Sequence, residues 1–447
     1  MTRGRWIHDW DPEDESFWRT TGRRVASRNL VFSIAVEHLG FCVWLLWSAV
    51  VLYLPAAGFD FDVDQLFWLV AVPNLVGSTL RLPYTFAVAR FGGRNWTVVS
   101  ALLLLAPTGL LAWCVGNPDT PYWMFVVTAT TAGLGGGNFA SSMANISYFY
   151  PERRKGFALG VNAAGGNLGV AVVQLLVPFV VTIGIGAHIA GAGLVWLPLI
   201  LLAAICAYLF MDNLAVVRTD FASQRRAFQR GHTWVMSFLY IGTFGSFIGY
   251  SAAFPLVINK TFPESKAAYF AFLGALVGSL ARPVGGWLAD RVGGAKVTGW
   301  SFATMGAGVC GALVGLSRHD FWLFLGSFLV LFVATGAGNG STYRMIPAIF
   351  TSQARRNIAA GMPKAVADLR AKREAAAAIG IASAIGAFGG FLIPRGFATS
   401  LGETGSIAGA LYVFLGAYGV FLATNWWFYL RQRVLVARAP SLAAARV

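Results

Sequence analysis

VGSTLR (residues 76–81) and VGSLAR (residues 277–282) are one short helical text written twice, 201 residues apart. Nine residues after each terminal arginine the same ending recurs: Arg90-Phe-Gly-Gly in the first copy and Arg291-Val-Gly-Gly in the second. A third pair, GGGN at 135–138 and GAGN at 336–339, keeps the offset of 201. A constant offset across several helices and loops means two halves of matching helix number and loop length. Internal repetition on that scale decides an architecture before any single residue does. Further along the register slips. Gly160-Val-Asn-Ala-Ala and Gly380-Ile-Ala-Ser-Ala are equivalent at an offset of 220, which places 19 extra residues in the loop near 356–375. That loop is basic and alanine-rich, and it predicts a short cytoplasmic helix.

The solvent of these halves follows from composition. The chain of 447 residues is 57% hydrophobic and only 12% charged, with mean hydropathy +0.63. Soluble domains carry roughly 25% charged residues. A membrane helix needs about 20 mostly apolar residues, and about twelve such stretches can be marked, among them 30–55, 122–148, 321–349 and 376–399. In lipid the backbone must satisfy itself, so these are helices. The net charge of +15 would suggest nucleic acid on a soluble chain. Here about 27 of the 34 Lys and Arg fall in the N-terminal tail, alternate loops and the C-terminal tail. The opposite loops hold Lys260, Lys266, Arg318 and Arg395. This asymmetry predicts a multi-pass protein of the cytoplasmic (inner) membrane with both termini in the cytoplasm. No nucleic-acid partner is needed. The polar, acidic first residues do not fit a signal peptide.

The expected organisation is a cytoplasmic tail (1–28), a six-helix half (29–211), a cytoplasmic linker (212–232), a second six-helix half (233–432) carrying the inserted loop, and a C-terminal tail (433–447). Two like-oriented six-helix halves describe the major facilitator fold, an all-α polytopic architecture with its substrate site at mid-membrane. The stretch from Gly285 to Gly294, with Asp290 and Arg291, resembles the loop signature of that superfamily. The first-half copy has Ala89 where the acid would stand. These loop residues read both as helix caps and as a gate.

Arg81 and Arg282 carry the chemistry. Each lies about 15 residues into its helix, roughly 20–24 Å along it. Charge at that depth is expensive and marks a pathway or a partner. The pseudo-symmetry predicts that the two face one central cavity. Glu37 is the one clearly interior acid, so a small anion supplies the missing negative charge. Glu37 itself reads either as a candidate proton-coupling carboxylate or as a structural ion-pair partner; His38 follows it. The glycine-rich runs, with Gly135, Gly137 and Asn138 in the first half and Gly336, Gly338 and Asn339 in the second, predict close helix packing and sliding between halves. Cys42, Cys114, Cys206 and Cys310 have no metal or disulfide spacing. No metal cluster, nucleophile or cofactor motif appears, so neither an enzyme nor a cofactor is expected.

GLGGGNFASSMANISYFYPERRKGFALGVNAAGGNLG (133–169) resembles the first signature of the nitrate/nitrite porter family of the major facilitator superfamily. GAGNGSTYRMIPAIF (336–350) is similar to the second, and the likeness extends from about Asn29 to Gln432. The resemblance implies nitrate and nitrite as substrates and two substrate-binding arginines, which Arg81 and Arg282 match. It implies aromatic rings on either side of the anion at Phe139 and Phe244, and polar contacts from Tyr240 and Asn167. Glu37-His38, the insertion, Asn339 and Arg344 depart from the family pattern. The reading is alternating-access nitrate/nitrite antiport by a monomer in the bilayer. Proton symport is the alternative; an anion channel or a transporter-like sensor are remoter ones.

Overall fold

A computed structural model of the chain describes residues 5–183, 188–217, 221–265, 267–432 and 441–443. Most of the expected C-terminal tail, Lys266 and parts of the N-terminal tail and linker therefore lie outside the described residues. Twelve membrane-length helices follow in order: α1 (Arg23–Trp44), α2 (Val63–Phe91), α3 (Gly93–Gly116), α4 (Tyr122–Phe149), α5 (Glu152–Thr182), α6 (Ile189–Phe210), α7 (Gly231–Thr261), α8 (Phe272–Val292), α9 (Gly294–Ser317), α10 (Phe321–Ala359), α11 (Lys364–Thr404) and α12 (Ala408–Leu430).

Ten of the twelve are long and apolar enough to cross a membrane by length and composition. The other two, α1 and α4, fall short for a structural reason. α1 carries Arg28, Glu37 and His38, and α4 is rich in Gly, Ser and Asn. Both bury most of their residues in protein rather than showing them to lipid. The opposite case is α12, whose apolar stretch is only 28% buried. An outer helix needs an apolar surface; an inner one does not.

The repeat is visible in the backbone. α2 and α8 end on Gly92 and Gly293, 201 residues apart, with φ of 88° and 99°. A side chain at positive φ is disfavoured, which is why Gly stands at both turns. The glycine runs then bring helices together within each half. A Cβ at Gly135 of α4 would lie 2.2 Å from the Gly40 carbonyl oxygen of α1. In the second half, one at Gly336 of α10 would lie 2.0 Å from the Gly278 oxygen of α8, and one at Gly340 2.1 Å from the Arg282 oxygen. The α8 backbone thus rests on α10 at the residue that carries the guanidinium.

The chain divides into two compact units. The first comprises Met1–Thr219 with Ser251–Ala275, the second Asp220–Tyr250 with Leu276–Val447. The boundary falls inside α7 and again in the first turn of α8. The far part of α7 joins the first unit, where Gln174 donates to the Ser251 carbonyl at 2.6 Å. Also in the first unit, the N-terminal tail is docked. A short strand β1 (Trp6–Ile7) pairs in parallel with β2 (Asn213–Leu214), and Trp10 and Trp18 bury against Ile146, Phe149 and Tyr150. Glu13 accepts from the Glu152 amide, and Glu15 pairs with Arg153.

In the second unit the inserted segment is not a separate short helix. α10 runs on to Ala359, Gly361 turns at φ 95°, and α11 begins at Lys364 after Pro363. Ala, Lys, Arg, Glu and Leu are strong helix formers, so the insertion lengthens the two helices it joins. A buried residue explains why the extension stays docked. Glu374 accepts from Arg230 and Arg370 at 3.0 and 2.8 Å and pairs with Arg226 of the linker helix Phe221–Phe228.

Candidate functional site

In the first unit, α2 places Arg81 wholly inside the protein. Its Nε donates to the Gly136 carbonyl of α4 at 3.2 Å. The guanidinium carbon stands 4.6 Å from the Phe139 ring centroid and 5.2 Å from that of Trp44. Trp44 is itself fixed by a bond from Nε1 to the Pro73 carbonyl at 2.9 Å. A cation over aromatic faces in a desolvated site is held at about 2 kcal/mol or more. Phe139 therefore stands beside Arg81 as its ring partner. Asn167 of α5 and Asn138 of α4 are buried, and both amide atoms of each lack a hydrogen-bond partner among the described residues. Buried polar groups are nearly always bonded, so such amides suit a polar ligand.

In the second unit, α8 carries Arg282, 5% exposed, with its guanidinium carbon 5.7 Å from the Tyr343 ring of α10. Tyr240 and Phe244 of α7 stack, with centroids 5.3 Å apart and planes at 17°. The stack is built by a π-helical turn, Ile241–Gly245. Such turns are frequent at functional sites because they re-aim side chains. Tyr240 donates from its hydroxyl to Asn339 Oδ1 at 2.8 Å. Asn339, expected among packing residues, thus orients a candidate substrate contact. Trp44 and Tyr343 were not marked by the sequence. For Trp44 the available signal was its spacing: it follows Glu37 by seven residues, on the same face of the first helix.

The remaining candidates sit in close helix contacts, an ion pair and a cation–ring contact. A Cβ at Gly137 would meet the Tyr84 ring at 2.7 Å, and one at Gly338 would meet Thr243 at 2.8 Å. Asp290 pairs with Arg344, and Arg291 lies 3.9 Å over the Trp287 ring. Asp290 and Arg344, with Arg355, line a cleft of about 300 Å³. Glu37 is fully buried and sits on Ser142 and Asn162. No group of three or more metal-ligating side chains occurs among the described residues.

The profile of the Major Facilitator Superfamily matches residues 39–362. A nitrate/nitrite transporter, NarU of Escherichia coli K12, is 42% identical, with 96% of each chain covered. The chain belongs to the nitrate/nitrite porter family of the major facilitator superfamily. A probable nitrate/nitrite antiporter of Thermus thermophilus, NarK2, is 36% identical over 96% of this chain and 98% of its own. Among solved structures, a D-xylose-proton symporter superposes with a TM-score of 0.67 at 17% identity, covering 89% of this chain and 97% of its own. That likeness speaks for the major facilitator fold alone. Members of the porter family are transporters, and this chain has their multi-pass helical build.

Proposed function

We propose that this chain carries nitrate and nitrite across the cytoplasmic membrane by alternating access, exchanging one anion for the other. One observation carries the reading. Repeat-equivalent helices each bury an arginine beside an aromatic ring, in a chain 42% identical to a nitrate/nitrite transporter along nearly its whole length. Nitrate is flat and delocalised, and a guanidinium is a flat fork of donors matched to planar oxyanions. Arg81 and Arg282 both bind the anion. Phe139 and Phe244 flank it, and Asn167 and Tyr240 complete its polar contacts. Exchange follows from charge: buried cations without their anion are costly, so the return stroke also needs a bound anion. The carrier works as a monomer. Both termini face the cytoplasm, which the distribution of Lys and Arg supports.

Selectivity tests the reading. In proteoliposomes loaded with nitrite, uptake of labelled nitrate is expected to fall with external nitrite or chlorate. A tenfold excess of sulfate or phosphate, which are tetrahedral and too thick for a slot between rings, should leave about 80% or more of the uptake. Inhibition by sulfate equal to that by nitrite removes the slot.

A further inference from the structure

Glu374 is 2% exposed, yet arginines from three segments meet on it. Arg226 comes from the linker helix, Arg230 from the residue before α7, and Arg370 from α11. All three approach through Nε, Arg370 at 2.8 Å, Arg230 at 3.0 Å and Arg226 at 3.3 Å. A guanidinium that gives Nε to a carboxylate keeps its terminal nitrogens for other acceptors. Arg226 turns one of them to Ser223 Oγ at 2.8 Å. For Arg230 and Arg370 no partner of the terminal nitrogens occurs among the described residues. Each of the three side chains is about a third exposed. Three cations on one carboxylate leave two positive charges uncompensated. A free surface arginine loses rotamer freedom when it binds an anion; here the buried carboxylate has already fixed the forks.

The surroundings are apolar and exposed. The apolar stretch of α7 is 94% buried, but its first turns show Trp234 and Phe238 to the outside. Phe228 of the linker helix is exposed as well and stands edge-on to Trp234, with ring centroids 4.8 Å apart. Trp234 Nε1 donates to the Phe228 carbonyl at 2.9 Å, which holds the pair together. Exposed Trp at the end of a membrane helix sits at the level of the lipid headgroups. The linker helix and the start of α7 both pack on α11, so the rings and the arginines share one end of the second unit. Arg370 and Glu374 belong to the extra residues near 356–375, and the first half has no counterpart to them.

We propose that the arginines held by Glu374 are a binding site for the phosphate of an anionic phospholipid. The reading of the chain as a nitrate carrier neither requires this site nor includes it. Guanidinium forks match phosphate oxygens. The terminal nitrogens of Arg230 and Arg370 take the phosphodiester, and Phe228 and Trp234 lie along the glycerol and the first acyl carbons. A soluble anion would use the charges and leave the rings bare; a zwitterionic lipid would use the rings and bring its own cation against the arginines. With both termini in the cytoplasm the site faces the cytoplasmic leaflet, where a basic pocket at helix ends meets anionic headgroups. A bound lipid then ties the linker helix, α7 and α11 together where the insertion begins α11.

The test is native mass spectrometry of the full chain in detergent, titrated separately with phosphatidylglycerol, with phosphatidylcholine of the same chains, and with inorganic phosphate. Phosphatidylglycerol is expected to bind about thirtyfold more tightly than phosphatidylcholine, about fivefold for each uncompensated charge. Arg370→Gln should cut that preference to about fivefold. Arg225→Gln removes the same charge from an exposed position on the linker helix that does not reach Glu374, and should leave the preference intact. Equal binding of the two lipids by wild type overturns the proposal whatever the variants do, which covers a variant that fails to fold. So does a loss in Arg225→Gln as large as that in Arg370→Gln, which would describe diffuse surface charge. Inorganic phosphate binding as tightly as phosphatidylglycerol would describe a soluble-anion site and overturn the lipid assignment.

Discussion

Arg81→Lys and Arg282→Lys are each expected to lower nitrate transport at least about a hundredfold, in protein that still inserts and purifies as a single species. Lysine keeps the charge and loses the planar fork. At Arg81 the fork is already committed on one edge, where Nε bonds Gly136, and its face is stacked on Phe139 and Trp44. That leaves its remaining donors aimed by two fixed contacts. A lysine ammonium has neither contact and points where its flexible stem allows. Charge-assisted hydrogen bonds contribute about 1.5–3 kcal/mol each, so two lost bonds to the anion reach the hundredfold range. At Arg282 the Tyr343 ring does the aiming. Transport by either variant within a few fold of wild type would remove the two-arginine site.

Gly135→Ala and Gly336→Ala are expected to destabilise the protein by about 1–3 kcal/mol or more, the range for overpacked interiors. The added methyl would sit 2.2 and 2.0 Å from backbone carbonyl oxygens of Gly40 and Gly278. Backbone cannot swing aside like a side chain, so α1 must leave α4, or α8 must leave α10. Either shift also moves the arginine-bearing wall of its unit. Gly416→Ala is the internal control, since nothing stands within 4 Å of its Cβ. Alanine favours a helix over glycine by about 1 kcal/mol, so this change should be neutral or stabilising. Thermal unfolding of the detergent-solubilised variants decides it. Equal midpoints for Gly336→Ala and Gly416→Ala would show that the helix contact is looser than described.

The repeat made the fold legible. An offset of 201 residues fixed the pairing of α2 with α8 and of α4 with α10, and the Gly92 and Gly293 turns carry it in the backbone. The apolar stretches 30–55 and 122–148 marked α1 and α4 as well, although helices shielded by other helices no longer need wholly apolar faces. The two arginines were legible because charge in lipid stands out against its background. Their ring partners were less so. Trp44 and Tyr343 look like ordinary membrane aromatics until α1 is laid beside α2 and α10 beside α8. The grip of Ser142 and Asn162 on Glu37 crosses three helices, and sequence spacing says nothing of neighbours across helices. The insertion was misread as a separate helix because a run of strong helix formers shows where helix is stable, not which neighbour it continues. Glu374 was overlooked inside that run, though its three arginine partners pin the linker helix to α11.

The most direct test of the carrier mechanism is counterflow. Purified protein is placed in liposomes holding nitrite, and labelled nitrate is supplied outside at equal pH and zero membrane voltage. Entry of nitrate is expected to depend on internal nitrite, to saturate with external nitrate, and to release about one nitrite for each nitrate taken up. Arg81→Lys in the same vesicles should show neither flux. Nitrate entry that rises linearly with concentration, without nitrite release, would describe a channel and contradict the account.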